Sequence, residues 1–398
     1  MASPLILLIC VILLGSTGFQ QSSFQNTGVR LIYVLFVSYY LIGLASRLMQ
    51  FENSYFDSIF NLLRVFATSF IILLSVHQYL YRRLILDLKE KKVFNAIFIP
   101  VIIASLYSIY QHSLGILDLT GRKDSISYGR VRGVYGNPNT LGFVANLGLA
   151  LLLYSLYKHK RWFWLKMVLI PALLYVTFLS LSRTSMITAA VLILFTAVKM
   201  TVNYLRLGHR GRWRHLLVMG IPFMIFTYIY LNFETLIIKY TKYGSMYKIL
   251  SLVNLIFKGK VSNETTSGRV DVVQYGIERI LEHPLFGNGL GAFRRFPEET
   301  GMTHGVHNTY LLVLGDAGIF PFIALLSLIC YVLVSSFFTR KIAGLMAFGS
   351  MMVWALHNMS GHNGLEEKMH NITIMSSVMY LWYVKQKKMP SNTYIRYN

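Results

Sequence analysis

The stretch HNTYLLVLGDAGIFPFIALLSLICYVLVSSFF, residues 307–338, decides the fold class. It opens on a histidine and an asparagine and runs on, mostly apolar, over more than the ~20 residues a helix needs to cross a bilayer. In lipid each backbone amide must be satisfied within its own segment, so such a run folds as helix. Further apolar blocks lie near 3–19, 31–50, 62–80, 94–112, 140–157, 163–181, 185–203, 216–232, 342–358 and 371–384. With 309–338 they make eleven predicted spans. The 309–338 block is long because its first turns precede the span proper, and Pro321 is placed to kink it. Of the 398 residues 55% are hydrophobic and 14% charged, against roughly 25% charged in soluble domains. The expected class is an all-α polytopic membrane protein of about 11–12 transmembrane helices, organised as a single integral membrane domain spanning 1–398.

The net charge of +22 would point to nucleic acid in a soluble domain. Its placement gives a different reason. Arg30, YRRLILDLKEKK (81–92), KHKRWFWLK (158–166), residues 199–215, TRK (339–341) and the C-terminal tail alternate correctly to share one side. They hold 21 of the 38 basic residues and only two of the 16 acidic ones, Asp87 and Glu90. Lys and Arg concentrate in cytoplasmic loops, so the C-terminus is expected in the cytoplasm and no nucleic-acid partner is needed. Eleven spans then place the N-terminus outside, and MASPLILLICVILLGSTGF has no basic leader region, which argues against a signal peptide. Cys10 and Cys330 lie far apart in apolar blocks and read as packing residues rather than a disulfide or metal pair.

Two connections on the extracytoplasmic side stand out. Residues 113–139 include GRKDSISYGRVRGVYGNPN, with four basic residues. Residues 233–306, between predicted spans 8 and 9, form a loop long enough to carry short helices of its own. Within it GRVDVVQYGIERILEHP reads as an amphipathic helix with Val270, Val273, Ile277, Ile280 and Leu281 on one face. Ser267 can cap its start and Pro284 ends it.

These outer segments hold the candidates for chemistry. Arg183, in FLSLSRTS, stands between two spans with almost no loop to solvate it. It either snorkels to the surface or points into a cavity and meets an anion. Arg130, Arg132 and Arg269 lie on the same side, each beside a glycine. Guanidinium groups stay charged and grip phosphate oxygens in a fork, so several converging at the membrane boundary suit a lipid-linked phosphate or diphosphate. His307 is either a surface group near a helix start or a general base, since imidazole titrates near neutrality. His304 and His307 have i, i+3 spacing, yet no carboxylate or cysteine stands at fitting spacing to complete a metal site. His357, His362 and His370 read as solvated loop histidines with a metal or cleft role as the alternative. Glu298 and Glu299 rival His307 as base. GNGLG (287–291) is weak as a phosphate loop, because that fingerprint follows a strand. The 26 Tyr and 26 Phe residues could stack on sugars, but in a membrane protein they more often pack or line the interface.

In order and placement, GVYGNPNTLG (133–142), LSRTS (181–185), SGR (267–269), EHPLFGNGLGAF (282–293) and HNTYLLVLGDAGIFPF (307–322) resemble the O-antigen ligase and O-antigen polymerase superfamily of bacterial membrane glycosyltransferases. The resemblance runs through motifs from about residue 130 to 325 and elsewhere through hydropathy alone. It implies a multi-pass protein of the bacterial cytoplasmic (inner) membrane, its active site facing the periplasm or exterior. It further implies transfer of a glycan from undecaprenyl diphosphate to an acceptor hydroxyl, such as a growing glycan or lipid A-core, with no metal and no cofactor. By position His307 matches the family's catalytic histidine, with Asn308 and His304 in support. Arg183 and Arg269 match the arginines that hold the diphosphate, and Arg130 and Arg132 lie where members often carry basic residues. Members commonly have about twelve spans with both ends inside, against the eleven counted here.

A ligase and a polymerase of lipid-linked repeat units share this donor and chemistry, and the motifs do not separate them. The single compact outer loop and the HNTYLL match lean to the ligase side. A flippase or other transporter would favour internal repeats and broken helices near the midplane, and no repeat is present in the sequence.

Overall fold

The computed structural model describes residues 20–50, 59–114, 131–135, 137–158, 162–207, 220, 269–296, 305–339, 343–361 and 364–386. Within them lie eleven α-helices: α1 (Thr27–Gln50), α2 (Ile59–Leu80), α3 (Glu90–Ser113), α4 (Pro138–Lys158), α5 (Phe163–Leu179), α6 (Arg183–Leu207), α7 (Arg269–Glu282), α8 (Thr309–Ala317), α9 (Ile319–Phe338), α10 (Ala343–Asn358) and α11 (Lys368–Gln386). Five helical stretches are long and apolar enough to cross a membrane: Thr27–Met49, Ile59–Leu86, Glu90–Ser113, Pro138–Lys158 and Ile319–Phe338. The protein is an all-α polytopic membrane protein. Nine of the expected spans coincide with helices or helix pairs, while 3–19 and nearly all of 216–232 lie outside the described residues.

The chain divides into two compact units. One takes Met1–Val93, Thr266–Thr339 and Ser350–Gln386; the other takes Phe94–Thr265, Arg340–Gly349 and Lys387–Asn398. In the first, α1 packs on α9 and α8, and α2 on α11. Aromatic rings knit α1 to α2, with Tyr40 4.7 Å and Phe36 6.0 Å from Phe66 by ring centroids. Gly28 lets α1 approach Tyr331 and Val378 so closely that a Cβ would stand 2.8 Å from each. In the second unit α4 is the central helix. It packs chiefly on α5 and also on α6, and its residues 141–156 are all buried. Leu149, Leu152 and Leu153 of α4 join Met167, Ile170 and Leu173 of α5 in one apolar cluster.

The long 309–338 block is two helices, not one helix kinked at Pro321. The break falls at Gly318, whose backbone has φ 77° and ψ −165°, a region open essentially to glycine alone. Pro321 is the third residue of α9, in the first turn where a backbone N–H has no intrahelical partner to lose. Cys330 is a free thiol on the exposed side of α9 rather than a packing residue.

The amphipathic helix of the long loop forms as α7 and stops two residues before Pro284. Its apolar residues do not share one buried face. Gly276 and Ile280 are buried, while Ile277 and Leu281 are exposed. Ser267 lies outside the described residues.

A Cβ at residue 318 would run into the Leu285 carbonyl as well as straining the backbone. Gly318→Ala is therefore expected to cost about 2 kcal/mol or more of folding stability. The measurement is the thermal unfolding midpoint of the purified protein in detergent, and an unchanged midpoint would contradict this placement of the break.

Candidate functional site

His307 sits half-buried just ahead of α8, in a backbone held from both sides. Before it, the Val306 N–H donates to the Phe293 carbonyl at 3.0 Å, and Gly305 packs so tightly on Arg294 backbone that no side chain fits there. After it, the Asn308 Oδ1 accepts from the N–H groups of Tyr310 (2.9 Å) and Leu311 (3.3 Å), capping α8. The Thr309 hydroxyl lies 2.9 Å from Asn358 Oδ1 and 3.0 Å from the Gly361 carbonyl, and receives the Gly364 N–H at 3.2 Å. Tyr310 donates to the Ala355 carbonyl at 2.8 Å. Such surrounding contacts hold a reactive side chain to a narrow range of positions. Asn308, expected in support of His307, is the residue that starts its helix.

The GNGLG turn lies against α8 as a clamp. Asp316, fully buried, accepts from the N–H groups of Gly291 and Phe293 and from the Tyr39 hydroxyl, each at 3.0 Å. Gly287 donates to His283 O, Asn288 to Gly315 O, Gly289 to Asp316 O, Leu290 to Gly43 O and Ala292 to Gly289 O. All seven N–H groups from 287 to 293 are thus engaged inside the protein, so the turn cannot cradle a phosphate without giving them up. The Asn288 side chain donates to Arg279 O at 2.9 Å, tying the turn to α7. From α1, Ser46 donates to Phe286 O (2.6 Å) and Arg47 to Leu290 O (3.0 Å).

Arg269 is the first residue of α7. Val306, next to His307, faces Gly276 on the same helix at a distance that would put a Cβ 3.1 Å away. Arg269 is seven residues from that contact, about 10 Å along the axis.

In the second unit, Arg183 is the first residue of α6 and follows a tight turn in which Leu181 takes a left-handed φ of 48°. Ser180 Oγ accepts from Ser182 N (3.2 Å) and donates to Thr177 O (2.6 Å), and Asn146 Nδ2 donates to Ser185 O (2.8 Å). Gly142, from GVYGNPNTLG, stands where any Cβ would overlap the Ser185 hydroxyl, so that motif and LSRTS interlock. The Val131 N–H donates to Leu179 O at 3.1 Å, which brings half-buried Arg132 beside the turn leading to Arg183. The structure therefore places Arg132 and Arg183 in one unit and Arg269, His307 and Asn308 in the other. Arg130, His304, Glu298 and Glu299 lie outside the described residues.

Of the histidines at the last helix pair, His357 and His370 are buried rather than solvated, and His362 lies outside the described residues. His357 is 5% and His370 0% exposed, with ring centroids 5.1 Å apart. Among the described residues no three or more His, Cys, Asp or Glu side chains group closely enough to hold a metal ion. The turn before α11 pairs Glu366 with Arg294, and Glu367 Oε2 lies 3.6 Å from His370 Nε2. Arg294, Glu366, Glu367, Arg47 and Asp316 were not singled out in the sequence. The signal available for Asp316 was that it is the lone carboxylate in 307–338.

Residues 168–326 match the family model described as O-antigen ligase. The matched segment takes in LSRTS, SGR, the GNGLG turn and HNTYLLVLGDAG, and excludes Arg130 and Arg132. No curated protein matches the chain.

Burial pushes the Glu367 carboxyl up from its ordinary 4.5 to about 7. A carboxyl raised in the folded state keeps a proton that the unfolded chain has released. This contribution to stability is full below about pH 4.5 and is lost as pH rises through about 7. Across that interval the wild-type unfolding midpoint is expected to fall relative to that of Glu367→Gln. Parallel pH profiles for the two proteins would show that Glu367 titrates normally.

Proposed function

We propose that this chain, whose residues 168–326 match the O-antigen ligase family model, is a membrane glycosyltransferase moving a glycan from undecaprenyl diphosphate to an acceptor hydroxyl at the outer face of the bacterial cytoplasmic membrane. The observation that carries the reading is the place of three motif residues. Arg183 and Arg269 each open a helix and His307 stands two residues before one. The positive end of a helix dipole favours nearby negative charge, which suits a diphosphate.

In this mechanism His307 takes the proton of the acceptor hydroxyl as its oxygen attacks the anomeric carbon. The bond from that carbon to the diphosphate oxygen breaks, and the lipid diphosphate leaves with the electron pair. Direct displacement inverts the anomeric configuration. Negative charge grows on the leaving oxygens, and Arg183 and Arg269, aided by Arg132 and Arg130, stabilise it in the transition state. With guanidinium groups in that role the step proceeds without a metal or cofactor. Asn308 orients His307 through the α8 cap, and His304 is assigned a supporting role. The chain acts as a single membrane domain with its C-terminus in the cytoplasm, its partners being the lipid-linked donor, a glycan or lipid A-core acceptor and the surrounding lipids. A polymerase of lipid-linked repeats is the alternative within the same chemistry.

His307→Ala is expected to remain inserted in the membrane and to lose glycan transfer altogether. The assay offers a synthetic undecaprenyl-diphosphate oligosaccharide to the purified protein in lipid, with and without lipid A-core. Product on lipid A-core alone identifies a ligase, and lengthened lipid-linked glycan without added acceptor identifies a polymerase. Wild-type transfer by His307→Ala would remove it as the base.

For orientation, a cysteine introduced at Ser262 is expected to react with an impermeant thiol reagent in whole cells. Reaction only after lysis would invert the topology.

A further inference from the structure

The helix α7 has three faces, and only two are accounted for. At about 100° per residue, Val273, Gly276 and Ile280 form the face turned into the protein, with Gly276 and Ile280 buried. Asp271, Gln274, Glu278 and Glu282 form an exposed polar face. Between them lie Ile277 and Leu281, 45% and 72% exposed. This apolar edge continues past the helix through Leu285 (55%) and Phe286 (59%) to Phe320 and Ile323 at the start of α9 (54% and 53%). The Phe286 and Phe320 rings lie 6.3 Å apart. The backbone beneath the strip is fixed. Pro284 O accepts from Ile319 N at 3.1 Å and Phe286 O from Ser46 at 2.6 Å, so these side chains face outward from an ordered turn.

Each large apolar side chain left in water forgoes roughly 1.5–3 kcal/mol relative to burial, and a contiguous strip of six marks an interaction surface. What covers it follows from continuity. α9 is one of the helices able to cross the membrane, and its exposed Phe320 and Ile323 belong to the same strip as Phe286. We infer that α7 is an interfacial helix whose Ile277–Phe286 edge lies among the acyl chains of the leaflet at the N-terminal end of α9. Its acidic polar face turns to water, so the attraction is to acyl chains and owes nothing to anionic headgroups. The helix that begins with Arg269 is thereby held at the depth of the lipid headgroups. Assigning that leaflet to the outer face rests on the proposed function; the insertion itself does not.

The test uses full-length protein carrying Cys10→Ala and Cys330→Ala, with single cysteines at Ile277, Leu281, Asp271 or Glu278 bearing an environment-sensitive fluorophore. The proteins are reconstituted into phosphatidylcholine vesicles containing doxyl-labelled acyl chains. Labels at 277 and 281 are expected to be quenched roughly threefold more strongly than those at 271 and 278, as burial of one helix face at the acyl boundary requires. Labels at 271 and 278 are expected to respond to aqueous iodide instead. Adding phosphatidylglycerol to the vesicles is expected to leave the pattern unchanged. Equal doxyl quenching at all four positions would overturn the inference. Shielding of 277 and 281 from both quenchers would overturn it in favour of a protein cover. Depth is read without catalysis, so loss of the glycosyltransferase reading would leave this result standing, and failure here would leave the transfer assay untouched.

Discussion

The first unit is organised around one buried carboxylate. Asp316 is fully buried beside α1, a position that is costly for a charge unless donors surround it. Three do: the N–H groups of Gly291 and Phe293 and the hydroxyl of Tyr39. Hydrogen bonds to a charged acceptor contribute about 1.5–3 kcal/mol each, enough together to offset a desolvation penalty of several kcal/mol. The same residue's carbonyl accepts from Gly289. Through one side chain and one peptide, the turn after α7, the helix after His307 and the first described helix are held together. Phe293, locked by Asp316, in turn accepts from Val306, so the carboxylate reaches His307 through two hydrogen bonds.

That arrangement explains the glycine spacing of GNGLG better than ligand binding does. Gly287, Gly289 and Gly291 all have φ between 75° and 94°, and their alternation folds the chain so that successive N–H groups reach different acceptors. Gly287 also lies against Asp316 and Ala317 backbone, where a Cβ would stand 2.5 Å from the Ala317 nitrogen. The turn resembles an anion nest in sequence and serves as a packing joint in structure. Any anion this protein binds must be met by other groups, which returns the argument to the arginines at helix starts.

Much of this was legible in the sequence, and the parts that were not share a cause. Helix positions followed from hydropathy, because the membrane forces long apolar segments to be helical. The polar start at His307 was visible as chemistry at the lip of an apolar run. The break at Gly318 was half visible: the long block was expected to begin before its span, but Pro321 drew attention away from a glycine whose ψ no local pattern reveals. His357 and His370 read as solvated because histidines near helix ends usually are. Gly361 and Gly364, which stand between those two histidines in the chain, both bond to Thr309 from more than 50 residues away, a link no local pattern reveals.

The amphipathic helix read in the long loop forms as α7, but the surroundings of its apolar face could not be read from the sequence. In water an apolar helix face implies a protein core behind it. In a membrane protein an apolar side chain has two acceptable surroundings, protein and lipid, and periodicity does not distinguish them. The discriminating feature is residue size. Where α7 meets protein it uses Gly276, which admits Val306 and Phe293 to within 3.4 Å of a Cβ position. Where it is exposed it carries the full side chains of Ile277 and Leu281. Small residues mark close helix contacts where lipid is the competing solvent, as Gly28, Gly43 and Gly148 do elsewhere in this chain. A glycine in an amphipathic helix near a membrane is therefore the better guide to its protein-facing side, and the large apolar residues beside it point toward the bilayer.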